Sequence, residues 1–266
     1  MDSLMQVGML TCVIVACLMG SVWVLSLLMK DVSIVDRVWG LGFVFIAVST
    51  AMVGEGFIGR KALMLSLVCL WGLRLSAYIT WRNWGRGEDY RYGAMREFYG
   101  KSFPYISLVT VFGIQGVLMW FISMPVQVVM VEPSPDYFTS FDTLGTALWA
   151  VGFFFETVGD WQLTRFKKDP ASAGKVMDRG LWRYTRHPNY FGDCMQWWGV
   201  YLVACSTPEG AWSLLSPVLM TLLLLRVSGV ALLERHLHHS RPDYRHYVET
   251  TNAFFPGWPG RPWEGE

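Results

Sequence analysis

The stretch that decides the fold reads SLMQVGMLTCVIVACLMGSVWVLSLLM and runs from Ser3 to Met29 without a charged residue. A bilayer core of about 30 Å requires roughly 20 apolar residues at the helical rise, so this segment predicts a transmembrane helix. A cleavable signal peptide would begin with basic residues, whereas this chain opens with Asp2 and has its first basic residue at Lys30. We therefore expect the helix to be retained.

The composition of the whole chain agrees with a membrane environment. Hydrophobic residues make up 53% of the chain and charged residues only 16%, which is unusual for a soluble domain. The formal net charge of +1 gives no overall basic field, so nucleic acid is not expected as a partner. The five cysteines have no C-x-x-C spacing, so neither a disulfide framework nor a structural zinc site is indicated.

Further spans follow along the chain. Residues 38–54 and 102–131 are uncharged, and the second stretch contains Pro104 and Pro125, which predict a tilt or a kink. Four more spans emerge if ionisable residues are accepted within them: 62–81 with Arg74, 143–163 with Glu156 and Asp160, 188–207 with Asp193, and 211–233 with Arg226. We predict an all-α, polytopic membrane bundle of about seven transmembrane helices, forming a single domain over residues 1–266.

These ionisable residues carry information about the interior of the bundle. A charge at mid-membrane costs at least about 2.5 kcal/mol, so each group should face a partner, the bundle interior or a wet cavity. Together they predict a polar internal chamber. The alternative is that they pair with one another near the membrane surface and only fix the bundle.

The distribution of Lys and Arg predicts the orientation. Of the residues between spans, Arg60 and Lys61 lie on one side, and the remaining basic residues lie on the other. The N-terminus is therefore expected outside and the C-terminus in the cytoplasm.

The basic cytoplasmic segments contain the most unusual sequence. Residues 183–193 read RYTRHPNYFGD, in which arginines can bind phosphates and Pro188 can begin a helix whose free N–H groups favour an anion. A phosphate-binding pocket is one interpretation. The other is a basic flank that contacts the headgroups of membrane lipids.

Several motifs resemble a known superfamily. Residues 180–193, GLWRYTRHPNYFGD, and residues 234–256, ERHLHHSRPDYRHYVETTNAFFP, resemble the C-terminal signature of steroid 5α-reductases, sterol C14- and C7-reductases and isoprenylcysteine carboxyl methyltransferases. In the N-terminal half, SIVDRVWG, WGLRLSAYITWRNWGRGEDYRY and GIQG resemble the bacterial DUF1295 branch of the steroid 5α-reductase group. The resemblance covers most of the chain.

The resemblance implies a bundle that holds NADPH on its cytoplasmic side, in residues 141–266, and a hydrophobic lipid substrate in residues 1–131. The implied cofactor-binding residues are Arg86, Asp160, Lys168, Arg179, Tyr184, Arg186, His187, Asn189, Tyr190, Asp193, Arg226, Arg235 and Tyr244. In this set, Arg179, Arg186 and Lys168 would neutralise phosphates, while Asn189 and Asp193 would hydrogen-bond the carboxamide or ribose and Tyr190 would stack.

Reduction of a conjugated C=C needs an acid that polarises the carbonyl while a hydride is delivered. In steroid 5α-reductases a Glu and a Tyr reach the ketone, and Asp36 in SIVDRVWG is the nearest acidic counterpart. When the motif is aligned at Arg74, the position of the tyrosine in steroid 5α-reductases falls near Trp71. Tyr78 or Tyr92 would therefore have to take the place of that tyrosine. Asp36 can instead cap a helix or pair with Arg37 or Arg74. Trp39, Trp71 and Gln115 are the candidate substrate-binding residues.

Two further patterns can be interpreted either as functional sites or as ordinary structural features. The run GEDYRY at residues 87–92 can form an acid–base site or gate, or a solvated, salt-bridged turn. The spacing of His236, His238 and His239 does not place all three on one helical face, so no metal is expected.

The sequence therefore predicts an NADPH-dependent oxidoreductase that reduces a conjugated C=C of a steroid, sterol or other hydrophobic lipid enone. One alternative is a membrane methyltransferase that uses S-adenosylmethionine, because that family shares the Arg-His-Pro-x-Tyr element. A second alternative is a lipid-binding or transport protein without chemistry. The family resemblance favours a bacterial inner membrane, and the sequence leaves the oligomeric state open.

Overall fold

The computed structural model describes residues 2–227, 244–258 and 260, and their regular secondary structure is entirely helical. The predicted all-α class is therefore confirmed. Part of the predicted span at 211–233, the predicted cofactor residue Arg235 and the histidines at 236, 238 and 239 lie outside the described residues.

The α-helices are α1 (Asp2–Met29), α2 (Ile34–Val53), α3 (Ile58–Asn83), α4 (Tyr90–Tyr99), α5 (Phe103–Ser107), α6 (Ile114–Ile122), α7 (Met124–Val131), α8 (Ser140–Lys168), α9 (Pro188–Ala204), α10 (Leu215–Leu222) and α11 (Tyr244–Thr250). Short 3₁₀ turns lie at Gly100–Ser102, Pro170–Ser172, Gly180–Arg183 and Gly210–Leu214, and π-helical turns lie at Leu108–Gly113 and Leu223–Val227.

Four helical segments within the described residues are long and apolar enough to cross a membrane: Ser3–Met29, Ile34–Val53, Ile58–Asn83 and Tyr90–Ile122. They correspond to the first four predicted spans, and they make the chain consistent with an integral membrane bundle. A shorter apolar helix covers Gly210–Arg226. The spans predicted at 143–163 and 188–207 fall on α8 and α9.

The stretch predicted as one span at 102–131 is not a uniform helix. Its centre is the π-helical turn at Leu108–Gly113, and α6 ends at Ile122 before α7 begins at Met124 with Pro125 in its first turn. The proline ring removes a backbone donor, so the helix is interrupted next to Pro125.

The described residues form two compact units. The first contains Met1–Thr143 and Tyr201–Ser216, and the second contains Leu144–Val200 and Pro217–Glu266. The predicted substrate half, residues 1–131, falls wholly in the first unit. The predicted cofactor half is divided, because Tyr201–Ser216 belongs to the first unit. One contact of this segment is the hydrogen bond that Ser216 donates to the Ile122 carbonyl (2.6 Å).

In the first unit, α2 and α3 cross in close contact. A Cβ atom at Gly40 would lie only 2.4 Å from the Gly72 carbonyl oxygen, so the two backbones meet at a pair of glycines. Beside this crossing, the rings of Phe43 and Trp71 pack edge to face at 5.4 Å. The packing of α2 on α3 holds α2 in the first unit, and Asp36 lies in the first turn of α2.

A buried ion pair joins the start of α3 to the start of α8. Arg60 donates from Nε and Nη2 to the two carboxylate oxygens of Asp142 (2.8 and 3.1 Å) and from Nη1 and Nη2 to the carbonyls of Pro135 and Tyr137 (3.0 and 2.7 Å). The side chain of Arg60 is 1% exposed. A buried charge must be paired to be tolerated, and here the pairing also fixes the loop before α8.

In the second unit, α8 and α9 pack through small residues. A Cβ atom at Gly192 would lie 2.4 Å from the Glu156 backbone nitrogen, and one at Gly152 would lie 2.5 Å from the Gly192 carbonyl oxygen. Such close packing is typical of membrane helices that meet at glycines. It brings the polar faces of α8 and α9 within hydrogen-bonding distance.

Candidate functional site

The first polar cluster is centred on Asp36 in the first turn of α2. Tyr92 donates its hydroxyl hydrogen to Asp36 Oδ1 at 2.8 Å, and Arg91 Nη2 donates to Oδ2 at 2.7 Å. Gln115 Nε2 donates in turn to the Tyr92 hydroxyl oxygen at 3.3 Å. We call Asp36, Arg91, Tyr92 and Gln115 the Asp36 cluster.

The start of α4 positions two members of this cluster. Asp89 caps the helix by accepting from the Arg91 backbone N–H at 3.0 Å, and it also accepts from Arg91 Nε at 2.9 Å. The turn before it contains Gly85 and Gly87 with φ of 72° and 74°, a region that glycine adopts without steric cost. Arg91 and Tyr92 both lie in the first turn of α4, and their side chains reach the two oxygens of the same carboxylate.

A second carboxylate fastens α4 to the turn between α1 and α2. Glu88 accepts from the Val32 backbone N–H at 2.8 Å and pairs with Arg96 through Nη2 and Nε at 2.7 and 2.8 Å. Burial opposes ionisation of Glu88, but the hydrogen bonds from Arg96 and Val32 hold its pKa below the ordinary value. The run predicted as a gate or a salt-bridged turn is therefore salt-bridged, and it also supplies Arg91 and Tyr92.

The structure separates the two candidate tyrosines. Tyr92 is 7% exposed and contacts Asp36. Tyr78 is half-buried and lies between the guanidinium groups of Arg74 (5.9 Å) and Arg82 (5.6 Å). Of the two, Tyr92 is therefore the one in the Asp36 cluster.

The predicted charge partners of Asp36 also differ from the observed one. Arg37 pairs with Asp31 at 2.9 Å, whereas Asp36 pairs with Arg91, which lies 55 residues further along the chain. In the sequence, Arg91 stands out only as a member of the charged run at residues 87–92.

The predicted substrate residues fall into two settings. Gln115 contacts the Tyr92 hydroxyl, which places it in the Asp36 cluster. Trp71 is 2% exposed and packs edge to face on Phe43, and the half-buried Trp39 also packs edge to face on Phe43, with the ring centroids 5.4 Å apart. Trp71 belongs to the buried core and Trp39 to its half-buried edge, and contact of either with a substrate stays a prediction.

The second polar cluster lies in the second unit. Asn189 Nδ2 donates to Asp160 Oδ1 at 3.1 Å, and Gln196 Nε2 donates to Glu156 Oε2 at 2.7 Å. Both carboxylic side chains are buried, one helical turn apart on α8. We call these four residues the Asn189 cluster. Its spacing was visible in the sequence, because residues four apart share a helical face, but Glu156 and Gln196 were not among the predicted site residues.

The amide oxygens of this cluster are open acceptors. Asn189 Oδ1 and Gln196 Oε1 are buried and receive no hydrogen bond from any residue in the described part of the chain. A buried acceptor without a donor costs roughly 1–3 kcal/mol. Such an atom is suited to a ligand that brings its own N–H or O–H group.

The Arg-His-Pro motif is bound to the C-terminal stretch. The Arg186 backbone N–H donates to the Asn252 carbonyl at 2.9 Å, and Arg186 Nη1 donates to the carbonyls of Val248 (3.0 Å) and Thr251 (2.6 Å). Thr185 Oγ1 donates to the Phe254 carbonyl at 2.8 Å. Arg186, predicted to neutralise phosphate, thus uses Nη1 to hold the tail.

Neighbouring predicted residues support this packing. The His187 ring stacks on Tyr190 with centroids 5.6 Å apart. The buried Tyr244 packs on Tyr247, whose hydroxyl donates to the Trp182 carbonyl. His187 and Tyr244 therefore lie inside the second unit rather than on its surface.

The remaining predicted cofactor residues are more accessible. The side chains of Lys168, Arg179, Tyr184 and Arg226 are exposed, and Asp193 is half-buried. Arg86 is exposed as well and belongs to the first unit. For Arg226 the sequence predicted the bundle interior, a partner or a wet cavity, and its exposed side chain leaves the last two open. Binding of a cofactor by this set stays a prediction.

The described part of the chain contains few side chains that ligate metals in one place. Among the described residues, no group of three or more His, Cys, Asp or Glu side chains is arranged to hold a metal ion. The histidines at 236, 238 and 239 lie outside those residues.

The described residues form helices, four of which are long and apolar enough to cross a membrane, and two clusters of polar side chains lie among them. This arrangement is typical of an integral membrane protein. The family described as "Protein of unknown function (DUF1295)" matches residues 22–251. The chain therefore belongs to the DUF1295 family, as the motifs in its N-terminal half predicted.

A curated relative extends this match. The chain is similar to an uncharacterized protein of the fission yeast Schizosaccharomyces pombe, with 26% identity over 273 residues that cover 93% of this chain and 79% of the relative. The relative is eukaryotic, so the bacterial inner membrane stays a prediction. No solved structure matches the chain.

Proposed function

We propose that this protein is an NADPH-dependent membrane reductase that transfers hydride to a conjugated C=C of a hydrophobic lipid enone, including steroid- or sterol-like compounds. The observation that carries the proposal is the hydrogen bond between Tyr92 and Asp36, with Gln115 on the same hydroxyl. A tyrosine and a carboxylic acid in contact are the groups that such a reduction uses to deliver a proton.

The geometry of the Asp36 cluster is suited to an acid. While Asp36 is ionised, it accepts the Tyr92 hydroxyl hydrogen. When Asp36 is protonated, it can donate to Tyr92 instead, and the phenolic hydrogen becomes available to a substrate carbonyl. Negative charge that develops on that oxygen would be stabilised by the phenol, which Gln115 helps to hold in place.

The Asn189 cluster supports nucleotide binding by the second unit. The open Oδ1 atom of Asn189 fits an amide N–H group such as that of nicotinamide, and the exposed Lys168 and Arg179 fit phosphates. Bound NADPH would supply the hydride.

The topology of the proposal has about seven spans, with the N-terminus outside and the C-terminus in the cytoplasm. The excess of Lys and Arg on one side of the predicted spans supports this orientation. Protease protection of tags at either end of the chain in sealed membrane vesicles would test it.

Cofactor binding is tested with detergent-purified protein and three ligands: NADPH, NADH and S-adenosylmethionine. We expect NADPH to raise the thermal midpoint, because a ligand at 100 times its Kd stabilises by about 2.7 kcal/mol. Asn189→Ala should remove most of this shift, while Asn83→Ala, on the first unit, should retain it. A shift with S-adenosylmethionine alone would favour the methyltransferase, and no shift with any ligand would favour a lipid-binding protein.

Catalysis is tested by oxidation of NADPH with a panel of lipid enones. Tyr92→Phe should lower kcat by about 10²-fold or more, the contribution typical of a positioned acid, without weakening cofactor binding. Tyr99→Phe is the matched control, because Tyr99 lies on the same helix with its ring against Phe98. Equal turnover by Tyr92→Phe and Tyr99→Phe would remove Tyr92 from the mechanism.

A further inference from the structure

An apolar groove of about 550 Å³ lies within the first unit. Its lining includes Leu4, Gly8 and Cys12 of α1, Trp120 of α6, Gln127 of α7 and Trp212 of the turn at Gly210–Leu214. We call it the α1 groove. Its volume falls in the range of small-molecule sites, roughly 300–1,000 Å³.

The groove is slightly shorter than the hydrocarbon part of one membrane leaflet. From Leu4 to Cys12 it follows α1 over eight residue-to-residue steps, which is about 12 Å at the helical rise, and half of a bilayer core is about 15 Å. Trp212 also lines the groove and is 83% exposed, as is typical of an aromatic residue at the membrane–water boundary. The groove therefore runs along the N-terminal part of α1, and if α1 crosses the bilayer as its length and apolar composition indicate, this part lies within one leaflet.

The polar side chains along the groove are occupied by each other. Trp120 Nε1 donates to the Gly8 carbonyl at 2.9 Å. Gln127 Oε1 accepts from Thr11 Oγ1 at 3.1 Å, and Gln127 Nε2 donates to Ser123 Oγ at 2.8 Å. An occupant is thus offered no open hydrogen-bonding group by Trp120 or Gln127, and hydrocarbon is the chemistry that fits.

We propose that the α1 groove binds one acyl chain of a bilayer phospholipid, taken from the leaflet at the N-terminal end of α1. Met5, Met9 and Met124 line the groove, and methionine side chains adapt to a flexible occupant better than branched ones. This arrangement favours an unbranched chain over a rigid ring system. The proposal does not depend on the reductase activity.

Gly8→Leu tests the site by filling it. A Cβ atom at Gly8 would have its nearest neighbours at 3.8 and 3.9 Å, from Trp120 and Gln127, so the first added atom fits and the rest of the leucine occupies the groove. Gln6→Leu is the matched control, because Gln6 is exposed on the same helix and does not line the groove. Folding of each variant is checked by its thermal midpoint.

The probe is a phosphatidylethanolamine with a diazirine at the end of one acyl chain, reconstituted with the protein in vesicles without NADPH. After irradiation, we expect crosslinks at Cys12 and Trp120 in the wild-type protein and in Gln6→Leu, and about tenfold fewer in Gly8→Leu, which corresponds to about 1.4 kcal/mol of lost affinity.

Two results would overturn the proposal. One is equal crosslinking of Cys12 and Trp120 in wild type and Gly8→Leu. The other is stronger labelling of these residues by a diazirine sterol than by the phospholipid, which would assign the groove to a rigid ring. If Gly8→Leu does not fold, Met9→Phe narrows the groove from its rim and is held to the same outcomes.

Discussion

Replacing Arg60 with methionine should destabilise the first unit severely. Methionine retains an unbranched apolar stem but removes the guanidinium that donates to Asp142, Pro135 and Tyr137. Removing one partner of a buried ion pair costs about 3–5 kcal/mol. Asp142 keeps the backbone N–H of Thr139 at 2.8 Å, so we expect a loss near 3 kcal/mol, at the lower end of that range.

The assay is equilibrium unfolding of the detergent-purified protein, followed by tryptophan fluorescence. Lys61→Met is the matched control: it is the neighbouring residue, only half-buried, and its ammonium donates to the Gly54 carbonyl, so about 1 kcal/mol or less should be lost. In the double variant of Arg60→Met with Asp142→Asn, the second change should cost much less than it does alone. An unfolding free energy of Arg60→Met equal to that of Lys61→Met would refute this reasoning.

Three further predictions follow from named contacts. Burial opposes ionisation of Asp142, but the hydrogen bonds from Arg60 and Thr139 hold the pKa of Asp142 below the ordinary value. The stability that ionised Asp142 contributes is therefore complete above about pH 4 and is lost as the pH falls through the lower folded-state pKa. Below that pH, the unfolding free energies of wild type and Asp142→Asn should converge. Gly192→Ala places a Cβ 2.4 Å from the α8 backbone and should cost about 1–3 kcal/mol in the same unfolding assay, whereas Gly93→Ala, with open space around it, should cost nothing. Glu88→Gln should raise the rate of tryptic cleavage at the exposed Arg86 a few fold, since a partly exposed ion pair contributes roughly 0.2–1 kcal/mol; an unchanged cleavage pattern would mean that the pair does not hold α4 in place.

The sequence predicted the apolar spans well, because the length of hydrocarbon to be crossed is a property of consecutive residues. Ser3–Met29 is the clearest case, and the structure has it as one helix. The interruption before Pro125 was also signalled by the proline itself. The π-helical turn at Leu108–Gly113 had no such signal, since no residue in it is specific for that geometry.

The clusters were predicted only in part, because their contacts join distant residues. Asp36 and Tyr92 were both candidates, but a choice between Tyr78 and Tyr92 depends on which face of the folded chain each one occupies. The sequence did not predict the partner of Asp36 for the same reason. Arg37 and Arg74 are closer to Asp36 in the sequence, but Arg91 is the residue that contacts it. In the second unit, Asp160 and Asn189 were predicted to share a site, and their side chains are in contact.

The binding of the Arg-His-Pro motif by the C-terminal stretch has a practical consequence. Residues 248–254 accept hydrogen bonds from Thr185 and Arg186, and the Gly257 backbone N–H donates to Tyr184. A chain shortened before Val248 would leave these groups of the motif without their partners inside the protein. The tail and the motif therefore act as one element, and an exchange of segments with a relative should transfer both or neither.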